Sequence, residues 1–146
     1  MKASEPKDMP TKIKHRIIID TNLWISFLLT SDYSKVDPMF INNEIILIFS
    51  QELVDEFIEV AQRPKFRKYF SLSDLEELLK KVRMKALFVS VTTTVNQCRD
   101  FKDNFLLALA QDGGATHLIT GDKDLLVLGK FGKTKILTIT DFIMRK

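Results

Sequence analysis

Short apolar runs alternate along the chain with longer segments of helical periodicity. The run Ile17-Ile18-Ile19 ends abruptly at Asp20, which is typical of a parallel strand that is buried on both faces. Four later runs have the same character. We therefore predict further strands at Ile45 to Phe49, Leu87 to Val91, His117 to Thr120 and Ile136 to Ile139.

The segments between these strands predict helices. Ser50 can cap one helix, Ser73-Asp74-Leu75-Glu76 has the spacing of a capping box, and Gly129 to Lys133 is expected to be a turn. The predicted helices are Leu23 to Leu29, a short stretch around Met39 and Phe40, Gln51 to about Gln62, Ser73 to about Lys85, Leu106 to Ala110 and Thr140 to Met144. This alternation indicates an α/β fold with a central parallel sheet of about five strands and helices on both faces.

Length and charge fit one domain preceded by a tail. Residues 1–14 contain two prolines and few apolar residues, so we expect a flexible basic tail and a single domain at 15–146. Residues 1–16 account for the whole net charge of +3, and the rest of the chain has equal numbers of acidic and basic residues. Net charge therefore does not establish a nucleic-acid partner.

Two further features limit the function classes. No apolar run approaches the ~20 residues that span a bilayer, and no signal-like segment follows the first charged residues, so we expect a cytoplasmic protein with no membrane partner. The single Cys98 cannot form an internal disulfide, in keeping with a reducing compartment. His117 has acids rather than other histidines nearby, so we expect a packed side chain and not a metal ligand.

Acidic side chains lie where the predicted strands or their connections reach the carboxyl edge of the sheet. Asp20 and Asp122 each follow an apolar strand, and Asp103 begins a helix that is apolar nearly all round. Open α/β sheets bind ligands at this edge. Asp20 is equally well explained as the N-cap of the next helix, because Asp, Thr and Asn all cap well.

Glu56 is the acid of the Gln51 to Gln62 helix that is angled towards the interior. When residues are placed every ~100° around the axis, the other three acids of this helix lie opposite its apolar arc, whereas Glu56 lies at the edge of the arc beside Val60. A solvated acidic face is the alternative reading of these charges.

Four carboxylates in one cleft require a counter-charge. Two like charges ~4 Å apart repel by about 4 kcal/mol at an effective dielectric constant near 20, and no Lys or Arg is adjacent to Asp20 in the sequence. A hard divalent cation, Mg²⁺ or Mn²⁺, is the simplest such charge for oxygen ligands. An ion of this kind activates water and neutralises a phosphate, so the pattern favours phosphodiester hydrolysis.

The segment from Arg63 to Phe70 interleaves four basic with three aromatic residues. Lys65, Arg67 and Lys68 are candidates for phosphate contacts, and the aromatic rings for base stacking. Phe66 and Phe70 are four residues apart, so the pattern is equally typical of a short helix whose rings point into the core.

Five short motifs resemble those of the PIN-domain nucleases, and within them the PIN-family toxin components of bacterial toxin-antitoxin systems. They are Asp20-Thr21-Asn22, Ser50-Gln51-Glu52-Leu53 with Glu56, Arg63-Pro64-Lys65-Phe66, Cys98-Arg99-Asp100 with Lys102-Asp103-Asn104-Phe105-Leu106, and Thr120-Gly121-Asp122-Lys123-Asp124-Leu125. Each is weak alone, but five in register from about Arg16 onwards form a specific signal. The resemblance implies a three-layer α/β/α PIN-like fold.

The resemblance also implies roles for individual residues. The acids that would hold the metal and carry catalysis are Asp20, Glu56, Asp103 and Asp122, with Asp124 as a fifth candidate ligand. The residues that would orient carboxylates or water are Thr21, Asn22 and Thr120. Phe101 stands where many relatives carry proline, which alters the approach to Asp103 without removing a ligand.

The activity implied by the resemblance is a Mg²⁺- or Mn²⁺-dependent endoribonuclease that cuts single-stranded RNA, with a homodimer and a cognate antitoxin as expected partners. Toxicity does not follow from membership, because relatives also process RNA. One alternative is a module that binds RNA or protein without cutting. Another is a phosphatase with Asp20 as nucleophile, which Asn22 disfavours because such enzymes carry a second Asp there.

Overall fold

The computed structural model describes residues 13–145, so residues 1–12 of the predicted tail lie outside the described residues. The strands are β1 (His15–Ile19), β2 (Ile45–Phe49), β3 (Ala86–Phe88), β4 (His117–Ile119), β5 (Lys130–Phe131) and β6 (Thr134–Leu137). The helices are α1 (Thr21–Thr30), α2 (Asp37–Ile41), α3 (Gln51–Ala61), α4 (Pro64–Arg67), α5 (Leu72–Lys85), α6 (Phe101–Gly113), α7 (Lys123–Leu126) and α8 (Ile139–Met144).

The strands form one sheet in the order β3-β2-β1-β4-β6-β5. All neighbours are parallel except β5, which pairs antiparallel with β6. Crossovers between parallel strands are right-handed. The connections that run from β1 through β2 to β3 therefore place their helices on one face of the sheet, and the return connection through α6 to β4 places its helix on the other face. The predicted three-layer α/β/α fold is confirmed.

The direction of strand addition reverses between β1 and β4. These two strands are adjacent, with Ile17 opposite His117 and Ile19 opposite Ile119, and the Asp20 N–H donates to the Ile119 carbonyl at 2.9 Å. A reversal of this kind leaves a crevice at the carboxyl ends of the strands. The residues that follow Ile19 and Ile119 are thereby brought to one place.

The central strands are buried, which holds the carboxyl edge of the sheet in place. Ile17, Ile18 and Ile19 are at most 1% exposed, and β2 is buried at every position, as expected for strands covered on both faces. Gly113 lets α6 approach β2 closely, because a Cβ there would lie only 2.6 Å from Ile48 Cγ2. The apolar α6 is buried along most of its length.

The start of α5 differs from the prediction. Ser71, and not Ser73, is the N-cap: its hydroxyl accepts from the Asp74 N–H at 3.1 Å, and Asp74 Oδ2 accepts from the Ser71 N–H at 3.0 Å. The capping box is therefore Ser71 with Asp74. Both serines have an acid three residues on, and the first of them is the one used.

The predicted C-terminal boundaries of two strands are also wrong. The strand expected at Leu87 to Val91 is β3, which ends at Phe88, and the strand expected at Ile136 to Ile139 is β6, which ends at Leu137. Ile139 belongs to α8 because the Thr138 hydroxyl caps that helix. The expected turn at Gly129 to Lys133 contains β5, which pairs back onto β6.

His117 is packed, as predicted. It is buried, its ring lies 5.0 Å from that of Phe142, and its Nδ1 lies 2.8 Å from Thr116 Oγ1. Within residues 13–145, no helix combines the length and the apolar character needed to cross a membrane.

Candidate active site

A cleft of about 180 Å³ opens at the carboxyl edge of the sheet, where α3 and α6 approach the ends of β1 and β4. The polar residues that line it are Asp20, Thr21, Asn22, Glu56, Arg63, Asp100, Lys102, Asp103 and Asp122, and the apolar ones are Leu53, Val60, Phe105 and Leu106. The four acids of the predicted quartet thus line a single cleft.

Asp20 caps a helix and also faces the cleft. Its Oδ1 accepts from the Asn22 N–H at 3.1 Å at the start of α1, and its Oδ2 accepts from the Thr120 hydroxyl at 2.8 Å. The residue is only 7% exposed. Burial raises the pKa of Asp20, and the charges of Asp122 and Asp100 add to this, while the two hydrogen bonds act in the opposite direction. The two readings of Asp20 from the sequence are therefore compatible.

Thr120 connects the acids at the ends of β1 and β4. Its hydroxyl donates to Asp20 and accepts from the Asp122 N–H at 3.0 Å. Asp122 in turn caps α7, with Oδ1 accepting from the Asp124 N–H at 2.8 Å. The buried threonine therefore fixes both Asp20 and the backbone that carries Asp122.

Asp103, Asp122 and Asp124 form the tightest acidic cluster. Carboxylate oxygens of the three lie within 4.8 Å of one another. Asp103 is 4% exposed, and its Oδ2 has no hydrogen-bond partner among the described residues. Burial, the charge of Asp122 and a hydrogen bond between these two carboxyl groups raise the pKa of Asp103 to about 7, with smaller effects from Asp100 and Asp20.

This cluster fits a hard divalent cation. A buried carboxylate oxygen with no donor is costly unless a cation or proton satisfies it, and the donor set consists entirely of oxygens. The residues that would hold the ion are Asp103, Asp122 and Asp124. Asp20 and Glu56 line the cleft together with Asp103 and Asp122, whereas Asp124 does not line it. Thr21 Oγ1, on the same wall, is a second buried polar atom that has no hydrogen-bond partner within residues 13–145.

The structure places four functional candidates that the sequence reasoning left without a role. Asp100 caps α6 and lines the cleft, and Arg99 pairs with Asp124 at 3.0 Å. Arg63 and Lys102 are the basic residues of the cleft wall. The motif Cys98-Arg99-Asp100 was visible in the sequence, but the direction of its side chains depends on the loop before α6.

That loop is fixed to α6 by Asn104. Its side chain accepts from the Cys98 N–H at 2.7 Å and donates to the Cys98 carbonyl at 2.9 Å. Arg99 therefore projects from an anchored backbone. As a cation beside Asp124, it offsets part of the negative charge of the cluster in the metal-free protein.

The basic residues predicted to bind nucleic acid lie elsewhere. Lys65, Arg67 and Lys68 are exposed on and after α4 and do not line the cleft. Lys65 Nζ lies 4.9 Å from the centre of the Phe66 ring, and Phe66 and Phe70 pack against the core. Phe66 and Phe70 are thus structural, whereas the third aromatic residue of the segment, Tyr69, is 56% exposed.

Comparison with known proteins agrees with this geometry. Residues 16–124 match the PIN domain family. The chain is 31% identical over 120 residues to the uncharacterized protein MJ1680 of Methanocaldococcus jannaschii, and the aligned region covers 80% of this chain and 77% of the relative. No solved structure matches the chain. The chain therefore belongs to the PIN domain family, and membership implies a nuclease that hydrolyses phosphodiester bonds.

The raised pKa of Asp103 predicts a pH-dependent effect of Asp103→Asn on stability. Metal-free native protein keeps this proton up to a pH of about 7, whereas the unfolded chain releases it near pH 4. The contribution of Asp103 to stability is therefore lost as the pH rises from about 4 to 7. In chelator, the variant should melt several degrees above the parent at pH 8, at about 3 °C per kcal/mol, and close to it at pH 4.

The exposed Asp55 provides the control, and Asp55→Asn should leave the melting temperature nearly unchanged at both pH values. An equal difference between parent and Asp103→Asn at pH 4 and pH 8 would show that Asp103 is not crowded in the native state.

Proposed function

We propose that the protein is a Mg²⁺- or Mn²⁺-dependent endoribonuclease that cuts single-stranded RNA. The observation that carries the proposal is the buried, unpartnered Asp103 oxygen beside Asp122 and Asp124 at the edge of a PIN fold. The choice of RNA rests on the resemblance of the five motifs to PIN-domain ribonucleases.

A divalent ion held at this cluster would polarise the scissile phosphate and lower the pKa of a water molecule. The protein's own residues supply the orientation. Thr120 and the Asn22 N–H hold the two oxygens of Asp20, and Thr120 also holds the backbone of Asp122. The Asp20 carboxylate and the Asp122 backbone are therefore fixed before any ion or substrate binds, which reduces the reorganisation that the reaction requires.

Besides holding the ion, Asp103 would bind a proton when no ion is present. Burial and the charge of Asp122 raise the pKa of Asp103 to about 7, so Asp103 keeps its proton in the metal-free protein up to near-neutral pH. Leu53 and Leu106 form apolar walls beside these acids. Metal affinity should therefore rise with pH as the proton leaves.

A module that binds RNA without cutting is the main alternative. All four acids of the quartet are present and line one cleft, which favours catalysis over a fold that has lost it. The competing phosphatase is disfavoured, because Asn22 stands where such enzymes carry a second Asp.

Cleavage of labelled single-stranded RNA tests the proposal. The parent should cut in Mn²⁺ or Mg²⁺ and stop in chelator, and Asp103→Asn should lose at least about 100-fold in rate, the scale of losing one electrostatic contact in a transition state. Asp55→Asn is the matched exposed control and should cut at the parental rate. Cutting that persists in chelator would refute the metal requirement, and RNA binding without cutting under any divalent ion would support the binding module.

We further propose that this nuclease is the toxin of a toxin-antitoxin pair, which rests on the resemblance of the motifs to that branch. A homodimer and an antitoxin partner are parts of the same proposal. The alternative within the family is an RNA-processing enzyme whose expression is harmless.

Inducible expression in a bacterial host separates these two roles. A toxin should arrest growth within a few generations, Asp55→Asn should do the same, and Asp103→Asn should be tolerated because its metal site lacks the central carboxylate. Normal growth with soluble, RNA-cleaving parent protein would contradict the toxin role and leave the nuclease proposal intact.

A further inference from the structure

The cleft that would receive RNA is strongly acidic. Five carboxylates line it, and a phosphodiester that approaches them is repelled unless cations offset their charge. A bound divalent ion offsets part of that charge at Asp103, but the phosphates on either side of the cut need partners of their own. The described part of the cleft wall offers two basic side chains, Arg63 and Lys102.

Arg63 has a fixed backbone at the junction of α3 and α4. Its N–H donates to the Val60 carbonyl at 3.1 Å, and its own carbonyl accepts from the Phe66 N–H at 2.9 Å. Its extended ψ of 142° is the conformation that a following proline, Pro64, imposes. The side chain therefore leaves the backbone at a defined point on the rim of the cleft.

The guanidinium of Arg63 is held by an exchangeable partner. Its Nη2 lies 3.1 Å and 3.4 Å from the two oxygens of Glu59, and the side chains are 44% and 64% exposed. An ion pair this exposed is weak. A phosphate offers the guanidinium the same pair of oxygen acceptors that the carboxylate does.

The second cation stands on a different element. Lys102 lies in the first turn of α6 and is exposed, and Asp100 Oδ1 accepts from its backbone N–H at 2.8 Å. A strand that contacts both Arg63, between α3 and α4, and Lys102, on α6, would lie along the cleft that the acids line. This path differs from the one that Lys65 and Lys68 would define, since those side chains do not line the cleft.

We propose that Arg63 binds a backbone phosphate of the RNA strand, and that Glu59 is the competitor which occupies its guanidinium when RNA is absent. The proposal rests on the proposed ribonuclease function, because it assigns the phosphate contact of that same cleft. It predicts opposite signs for two neighbouring substitutions: loss of Arg63 weakens RNA binding, and loss of the Glu59 charge strengthens it.

The test is fluorescence anisotropy with a labelled single-stranded RNA in chelator, where no metal-dependent cutting occurs. Arg63→Gln should weaken binding about tenfold and lower the slope of log affinity against log salt by about 0.7. Glu59→Gln should tighten binding about two- to fivefold. Arg63→Lys, which keeps the charge but not the planar fork, should keep the full salt slope and lose less affinity than Arg63→Gln.

Matched controls separate a phosphate contact from a general change of charge. Arg83→Gln on α5 removes an exposed arginine, and Glu52→Gln removes an exposed acid from the same helix as Glu59; each should change affinity less than twofold. Arg67→Gln tests the basic surface of α4 that the sequence predicted to bind RNA, and it should weaken RNA binding less than Arg63→Gln does. Thermal melts of each variant verify that the fold is intact.

The proposal is overturned if Arg63→Gln and Arg83→Gln behave alike, if Glu59→Gln fails to tighten binding, or if the parent does not bind RNA without metal. These outcomes are independent of cleavage. A parent that cuts RNA while Arg63→Gln binds normally would refute the contact alone, and the predicted binding pattern without cutting under any divalent ion would refute the nuclease alone.

Discussion

The site depends on the crowding of carboxylates around the buried Asp103 at the carboxyl edge of the sheet. Asp103 is nearly buried with one oxygen unpartnered, and the carboxyl oxygens of Asp122 and Asp124 lie within 4.8 Å. Such an arrangement is unfavourable in the absence of a cation or a bound proton. The free-energy cost of this crowding is offset by burial of the central strands, which stabilises the whole domain.

The scaffold places the acids through backbone positions and caps. Asp20 and Asp122 end adjacent parallel strands and cap the helices that follow, so the same side chain starts a helix and faces the cleft. Thr120 joins the two. Positively charged side chains are kept to the rim: Arg99 pairs with Asp124, and Arg63 pairs with Glu59. Arg99 therefore offsets part of the charge of the acidic cluster, whereas Arg63 is held at the cleft by an exposed ion pair with Glu59.

Much of this arrangement was predictable because it depends on local patterns. Solid apolar runs marked the parallel strands, and the helical geometry of α3 placed Glu56 beside Val60, with which it lines the cleft. The two-residue β5 has no periodicity to detect. The Val89 to Val91 stretch has the alternation of a strand, but β3 is at the edge of the sheet and pairing ends at Phe88.

The rim of the site was the part that the sequence did not predict. Arg99, Asp100 and Lys102 take their directions from the loop that Asn104 fixes to α6, and no periodic pattern encodes a loop. Arg63 was counted among the four basic residues of its segment, but the predicted phosphate contacts were Lys65, Arg67 and Lys68. Arg63 differs from the other three basic residues only in preceding the bend at Pro64. The bend leaves Arg63 on the cleft, whereas Lys65, Arg67 and Lys68 do not line the cleft wall.

The protons released when Mn²⁺ binds test the central claim most directly. Calorimetric titrations of the parent in buffers of different ionisation enthalpy give this number at each pH. If the ion binds at Asp103 and displaces the proton held there with a pKa of about 7, close to one proton should be released per ion near pH 6 and almost none above about pH 8. Release that is zero throughout, or that does not change with pH, would contradict a metal site built on the crowded Asp103.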